Sequence, residues 1–198
     1  MEKAVISLKE FLPPGIHSGR NNKLCPLNVD EDSQYLMVGY TVNLSHLAGT
    51  VKKEYSFALP KFITKDEETF EVLGLLQAEM NKTQNGCLTF VNSEDRIIRK
   101  VMDWFKKEVE LDFNTWRWYI KVNINEPSDM DYKTKIEGKV VQYWLKNTKI
   151  KPEQSYPKSV VYTKETKNKI LKVCDYGSLT LEYKSNLFSQ ILKILLKK

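Results

Sequence analysis

Glu79 is the residue of this sequence whose position most clearly points to chemistry. Its carboxylate lies at the end of a predicted helix, where the negative pole of the helix dipole disfavours an anion unless a cation is bound. Gly74 and Ala78 leave one face of that helix almost without side chains, so another helix backbone can approach it closely. Two copies packed through this face would bring their Glu79 carboxylates together, and converging carboxylates repel unless a divalent cation neutralises them. Oxygen-only ligation of this kind suits Mg²⁺.

The helix that positions Glu79 is predicted to span residues 64–81. Thr64 and Glu67 have the spacing of a capping box, and acidic residues occupy the first turn, where the helix dipole favours them. Apolar residues recur at helical spacing at Phe70, Val72, Leu73, Leu75, Leu76 and Met80. By itself this pattern also fits a structural helix that pairs with another helix and carries a surface glutamate.

Residues 72–80, VLGLLQAEM, resemble the nine-residue LAGLIDADG motif of homing endonucleases. The resemblance extends to segments that are similar to the strand, helix and final hairpin of the same domain: residues 90–93, 142–145 and 176–179. It covers the chain from about Pro60 to the C-terminus. The resemblance implies that Glu79 and the backbone carbonyl of Ala78 bind Mg²⁺. Met80 departs from the family pattern, in which a glycine ends the helix.

The chain is predicted to have two parts. Residues 1–63 form an N-terminal arm of strands and loops of unknown role, and residues 64–198 form the LAGLIDADG-like DNA-binding and nuclease domain. Within the arm, the proline and glycine punctuation of residues 1–33 predicts loop or an ordered arm with little regular structure. Residues 35–43 and 54–59 are predicted to pair as strands, with a bulge or close approach at Gly39.

Each chain carries one copy of the motif. The sequence Leu47-Ala48-Gly49 matches only the start of the motif. Thr50 and the charged residues that follow cannot continue an apolar helix. A single motif per chain implies a homodimer that pairs through residues 70–80, with Gly74 and Ala78 in its interface.

Residues 115–124 alternate between apolar and polar side chains, as in a strand with one buried face. The polar face carries the donor types that a DNA-reading sheet requires: Arg117, Tyr119, Lys121 and Asn123. Arginine and lysine pair with guanine or phosphate, and asparagine pairs with adenine. A half-buried antiparallel strand whose outer face is merely solvated has the same pattern, so this alternative stays open.

A second basic segment connects two strands predicted at residues 158–163 and 170–183, which are expected to form an antiparallel pair. The lysines in and beside this connection are candidates for contacts with the DNA backbone: Lys158, Lys164, Lys167 and Lys169. Such contacts would add salt-dependent affinity. A solvated loop accounts for the same lysines equally well.

From residue 64 onward the predicted order of elements is helix, strand, helix, strand, helix, strand, strand, helix. This order indicates an α+β fold in which helices cover one face of a single, mostly antiparallel sheet. The resemblance implies that the sheet is saddle-shaped and that its other face lies on the DNA major groove. It also places the motif helices at the centre of a two-fold dimer.

The composition argues against several other classes of protein. The 198 residues carry a net charge of +6, which favours polyanionic partners only weakly. No apolar run of about 18 residues predicts a membrane span, and no signal peptide is evident. We therefore expect a cytoplasmic, nucleoid-associated protein without a membrane partner. Three scattered cysteines and two histidines indicate neither a disulfide framework nor a zinc site.

The leading hypothesis is a sequence-specific, Mg²⁺-dependent endonuclease that cuts double-stranded DNA as a homodimer. Glu79 and the Ala78 carbonyl would hold the metal, and Lys121 or Lys172 would polarise the attacking water. Two alternatives use the same basic sheet: a non-catalytic, regulatory DNA-binding protein on the same fold, and an RNA-binding maturase. A protein-interaction domain without a nucleic-acid partner is the fourth interpretation.

Overall fold

A computed structural model describes residues 4–18, 23–46, 49–80, 87–111, 113–124, 130–164 and 175–197. The helices within these ranges are α1 (Glu67–Glu79), α2 (Asp95–Glu108), α3 (Met130–Asn147) and α4 (Asn186–Leu195). The strands are β1 (Val5–Ser7), β2 (Gly15–Ser18), β3 (Lys23–Pro26), β4 (Asn28–Glu31), β5 (Tyr35–His46), β6 (Gly49–Pro60), β7 (Phe62–Thr64), β8 (Leu88–Asn92), β9 (Arg117–Ile124), β10 (Ser155–Lys164) and β11 (Ser178–Tyr183).

The helices pack on a sheet of four strands in the order β10-β9-β11-β8. β11 runs antiparallel to both β9 and β8, whereas β10 runs parallel to β9. The side chains of β9 alternate as predicted, and Trp118, Ile120 and Val122 are buried in the hydrophobic core that the helices share. The predicted α+β class, with a sheet dominated by antiparallel pairs, is therefore confirmed.

The predicted antiparallel pairing of residues 158–163 with residues 170–183 is wrong. β10 lies beside β9 at one end of the strand order, and β11 is inserted between β9 and β8. A parallel pair needs a long crossover connection, and α3 supplies it between β9 and β10. β11 pairs with a strand on each side, so its backbone donors and acceptors are satisfied in both directions.

The N-terminal arm contains a long antiparallel hairpin. β5 and β6 pair over their full length, and β4 joins β5 on the other side. The predicted strand pair is confirmed and extends further than expected. The bulge expected at Gly39 is absent from the described ladder, because Gly39 lies in regular register opposite Ser56.

The prediction that residues 1–33 form loop or an arm with little regular structure is wrong. Four short strands, β1 to β4, lie within this segment, and Leu8–Phe11 form a 3₁₀ turn. β1 pairs with β7, with Val5 opposite Thr64, so the partner that orders this strand is distant in the sequence. The side chains of Leu8, Phe11 and Ile16 are buried in the same hydrophobic core as those of the helices.

None of the helices within the described residues combines the length and the apolar content needed to cross a bilayer.

Candidate functional site

The helix that carries Glu79 begins at Glu67, three residues later than its predicted start. Asp66 is its N-cap, and the Asp66 carboxylate accepts a hydrogen bond of 2.9 Å from the backbone N–H of Thr69. Thr64 belongs instead to β7, and its backbone N–H donates to Glu108 Oε2 at 2.6 Å. The predicted capping box at Thr64 is wrong because strand pairing with β1 holds this residue in an extended conformation.

One face of α1 is buried and the opposite face is open. Val72 and Leu76 are fully buried on the inner face. Phe70, Gly74 and Ala78 lie one turn apart on the outer face, and all three are exposed. A Cβ placed on Gly74 would meet no heavy atom within 4 Å. A single chain therefore leaves the small-residue face of α1 free for another helix to pack on.

Glu79 is the last residue of α1, and its side chain is exposed. The next residue, Met80, is buried and forms a bridge to Phe90 of β8. Met80 has φ −75° and ψ 131°, so the chain leaves the helix directly in an extended conformation. No left-handed residue is needed here, so methionine fits this position without strain. The bridge holds Glu79 beside β8.

The acidic residues of α1 fall into two groups. Glu68 and Glu71 pair with lysines of α2: Lys107 Nζ lies 2.7 Å from Glu68 Oε2, and Lys100 pairs with Glu71. Glu67, in the first turn, and Glu79, in the last, form no salt bridge within the part of the chain that the structure describes. The described residues also contain no cluster of three or more His, Cys, Asp or Glu side chains that could hold a metal ion. Among the described residues, Glu79 therefore belongs to no group that could by itself form a metal site.

The outer face of the sheet carries the polar side chains of β9. Arg117 is exposed, whereas Tyr119, Lys121 and Asn123 are half-buried. The Arg117 guanidinium donates to the backbone carbonyl of Glu153 at 3.1 Å, which fixes the direction of this cation. Lys121 Nζ lies 5.5 Å from the centre of the Tyr119 ring. The strand therefore presents two cations and an aromatic ring, and the alternation predicted from the sequence is confirmed.

Sequence reasoning missed three residues of this outer face. The Tyr156 ring packs edge-on against Tyr119, with 5.9 Å between ring centres, and the Tyr156 hydroxyl donates to the Glu182 carboxylate. Burial, followed by this hydrogen bond, raises the pKa of Tyr156 to about 12. Lys184 Nζ lies 5.6 Å from the centre of the Tyr156 ring. Tyr156 was not predicted because it precedes Pro157, and the predicted strand begins only at residue 158.

The remaining predicted site residues lie apart from Glu79. Lys121 is on β9, and Met80 bridges to β8; three strand spacings separate Lys121 from Met80, or about 14 Å. The structure therefore does not bring Lys121 beside the Glu79 of its own chain. Lys158 is exposed on β10, and Lys164 ends that strand. Three predicted residues lie outside the described residues: Lys167, Lys169 and Lys172.

The fold and site define an α+β protein with an aromatic, basic sheet face and an exposed helix that ends in an acid. No family model, no curated protein and no solved structure matches the chain.

Proposed function

We propose that this protein is a homodimeric, Mg²⁺-dependent endonuclease that binds double-stranded DNA on the outer face of its four-stranded sheet. The observation that carries the proposal is the open face of α1, which presents Gly74 and Ala78 to solvent and ends in the exposed carboxylate of Glu79. Two copies of this helix can pack with their backbones close together, because few side chains stand between them. Such packing would stabilise a dimer.

Pairing through α1 would also combine the two sheets. Met80, which follows α1, bridges to β8, and β8 stands at one end of the strand order. A two-fold axis at Gly74 and Ala78 would therefore bring the β8 strands of the two copies towards each other. Their outer faces would then form one wide surface that carries two sets of Arg117 and Lys121. Such a surface is suited to the phosphates and base edges of a duplex.

The donor set at the end of α1 fits a hard cation. The Glu79 carboxylate is exposed, and the carbonyl of Ala78 is among the last four of the helix, which have no partner within it. These oxygens, doubled by a dyad, are the ligand type that Mg²⁺ prefers. Bound Mg²⁺ activates water and stabilises the leaving 3′ oxygen in phosphodiester hydrolysis. The role of the chain is to hold the two carboxylates at the dimer axis.

The test substitutes Glu79→Gln, with Glu71→Gln as the matched control on the same helix. Glu71 is exposed and pairs with Lys100, so its loss should cost less than about 1 kcal/mol of stability. We expect Glu79→Gln to bind plasmid DNA as the wild type does, but to nick it in Mg²⁺ more than about 100-fold slower, the scale for removing one charge-stabilising group. Glu71→Gln should cleave normally. Equal cleavage by Glu79→Gln would reject the assignment.

A second candidate function is non-catalytic DNA binding on the same surface. The observation that favours it is that the described residues contain no group of three or more His, Cys, Asp or Glu side chains that could form a metal site within one chain. Salt-sensitive binding of plasmid DNA by the wild type, without any nicking in Mg²⁺, would establish this candidate instead of the nuclease.

A further inference from the structure

A groove of about 430 Å³ lies between the β5–β6 hairpin and the start of α4. The inner face of the hairpin packs on the core at Leu36 and Val38, which are fully buried. The same face continues past the core to Tyr40, and Tyr55 lies directly opposite it on β6. The hairpin therefore extends beyond the core, and Tyr40 and Tyr55 lie on the part that extends.

The two tyrosines form a stacked pair at the mouth of the groove. Their ring centres are 5.0 Å apart with an interplanar angle of 12°, and Tyr55 keeps 37% of its surface exposed. Lys53 Nζ lies 5.1 Å from the centre of the Tyr55 ring. Burial, followed by the neighbouring Tyr55, raises the pKa of Tyr40, so this ring stays neutral at physiological pH.

The polar lining of the groove is neutral or basic. His17, Lys184 and Asn186 lie among the lining residues, and none of the described residues that line the groove is acidic. Asn186 Nδ2 donates to the backbone carbonyl of His17 at 3.0 Å, which ties the start of α4 to β2 and closes this side of the groove. The lining therefore favours a planar, anionic ligand.

Lys184 connects the groove with the outer face of the sheet. It lines the groove, and its ammonium group lies over the ring of Tyr156. Tyr156 in turn contacts Tyr119, over which Lys121 lies. Two neighbouring rings, with a cation at each end, thus extend from the middle of β9 to the groove. Rings and cations in one row are the groups with which proteins bind single-stranded nucleic acid, through bases stacked on rings and phosphates beside cations.

We propose that the groove binds single-stranded nucleic acid, with a base stacked on the face of Tyr55 that Tyr40 leaves open. The base would displace the Lys53 ammonium group from the ring, and the flanking phosphates would lie beside Lys53 and Lys184. Only an unpaired strand can present the face of a base to the ring, because in a duplex both faces of each base are covered by its neighbours. The site therefore goes beyond the proposed endonuclease, which concerns duplex DNA, and it assigns a role to the hairpin of the N-terminal arm.

The test measures binding of a fluorescently labelled oligothymidylate at low salt by anisotropy, with the full-length protein. We expect Tyr55→Ala to weaken binding by at least about tenfold, since loss of one stacked base corresponds to this range. Tyr55→Phe should bind within about twofold of the wild type, because it keeps the stacking face. Phe62→Ala is the matched control: Phe62 is an exposed ring with Lys61 Nζ 5.8 Å from its centre, outside the groove.

Three outcomes would overturn the proposal: no binding of the oligomer by the wild type, full binding by Tyr55→Ala, or an equal loss with Phe62→Ala. The nuclease is tested separately in the same variants. Tyr55→Ala should retain Mg²⁺-dependent nicking of plasmid DNA, and Glu79→Gln should retain binding of the oligothymidylate. Binding of oligothymidylate therefore tests the groove, and nicking of plasmid DNA tests the nuclease. Either proposal can fail while the other holds.

Discussion

Tyr156 is the side chain at which the outer face of the sheet and the groove meet. Its ring lies between the Tyr119 ring and the Lys184 ammonium group, and its hydroxyl donates to Glu182. A carboxylate that accepts this proton stabilises the neutral phenol, and partial burial acts in the same direction. Both effects raise the pKa of Tyr156 to about 12, so the contact persists throughout the physiological range.

Tyr156→Phe tests this contact through the pH dependence of stability. An unfolded tyrosine loses its proton near pH 10, whereas the folded one retains it to about pH 12. The stability contributed by the hydroxyl should be complete below about pH 10 and should be lost as the pH rises towards 12. We expect the difference in free energy of unfolding between wild type and Tyr156→Phe to be larger at about pH 9 than at about pH 11, measured by urea denaturation.

Tyr162 provides a parallel case on the other side of the sheet. Its hydroxyl donates to Glu137 of α3 at 3.1 Å, and burial followed by this bond raises the pKa of Tyr162 to about 12. Tyr162→Phe should therefore show the same trend. A difference that does not change with pH in either variant would contradict the assigned cause.

At the scale of elements, α1 is a helix with apolar residues on opposite sides. Val72 and Leu76 bury one side, while Phe70 keeps 53% of its surface exposed on the other. Leu73 and Leu75 are partly buried against the same core, so Phe70 is the large apolar side chain of α1 that a single chain leaves exposed. Its N-terminal end is secured by the cap at Asp66, and its C-terminal end by the bridge from Met80 to Phe90.

The cap gives a direct prediction for α1. Asp66→Ala removes the acceptor for the Thr69 N–H and should lower the free energy of unfolding by about 0.5–2 kcal/mol. Thr64→Ala is the control, because the hydrogen bond from Thr64 to Glu108 uses the backbone and survives the substitution. It should cost less than about 0.5 kcal/mol. If urea denaturation finds Thr64→Ala to be the more costly change, the hydrogen bond to Asp66 does not contribute the stability assigned to it.

At the scale of the whole molecule, the proposed dimer would determine whether the basic sheet face and Glu79 can work together. The outer face of one sheet offers few cations, and the described residues of one chain contain no group of three or more His, Cys, Asp or Glu side chains that could hold a metal ion. Pairing through α1 would double the basic surface and complete the carboxylate pair in one step. The proposal therefore depends on whether α1 of a second copy covers the open face at Gly74.

Gly74→Leu tests pairing through α1, and Gly138→Leu on α3 is the matched control. A Cβ at either glycine meets no heavy atom within 4 Å in one chain, and both lie in helices, where leucine is favoured over glycine by roughly 0.8 kcal/mol. Both variants should therefore fold at least as stably as the wild type. Gly74→Leu should raise the dissociation constant of the dimer by about tenfold or more, from the 1–3 kcal/mol typical of overpacking.

Sedimentation equilibrium measures the effect, and Gly138→Leu should leave association unchanged. A wild-type protein that stays monomeric, or a dimer unaffected by Gly74→Leu, would contradict pairing through α1 and would remove the basis of the nuclease proposal.

Features that depend on neighbours a few residues away could be predicted from the sequence. The alternation of residues 117–123 and the pairing of residues 35–43 with 54–59 follow from local periodicity, and both are present. The exposed face at Gly74 was evident for the same reason, since helical spacing alone places Gly74 and Ala78 on one side.

Only the tertiary structure decided which distant segments meet. Pairing of β1 with β7 turned Thr64 from a predicted cap into a strand residue, and insertion of β11 separated strands that are consecutive in the chain. The approach of Lys184 to Tyr156, beside a groove that Tyr55 also lines, has the same origin. Contacts between distant segments depend on the closure of long loops and on competition among many possible pairings, and no local pattern of side chains encodes the outcome.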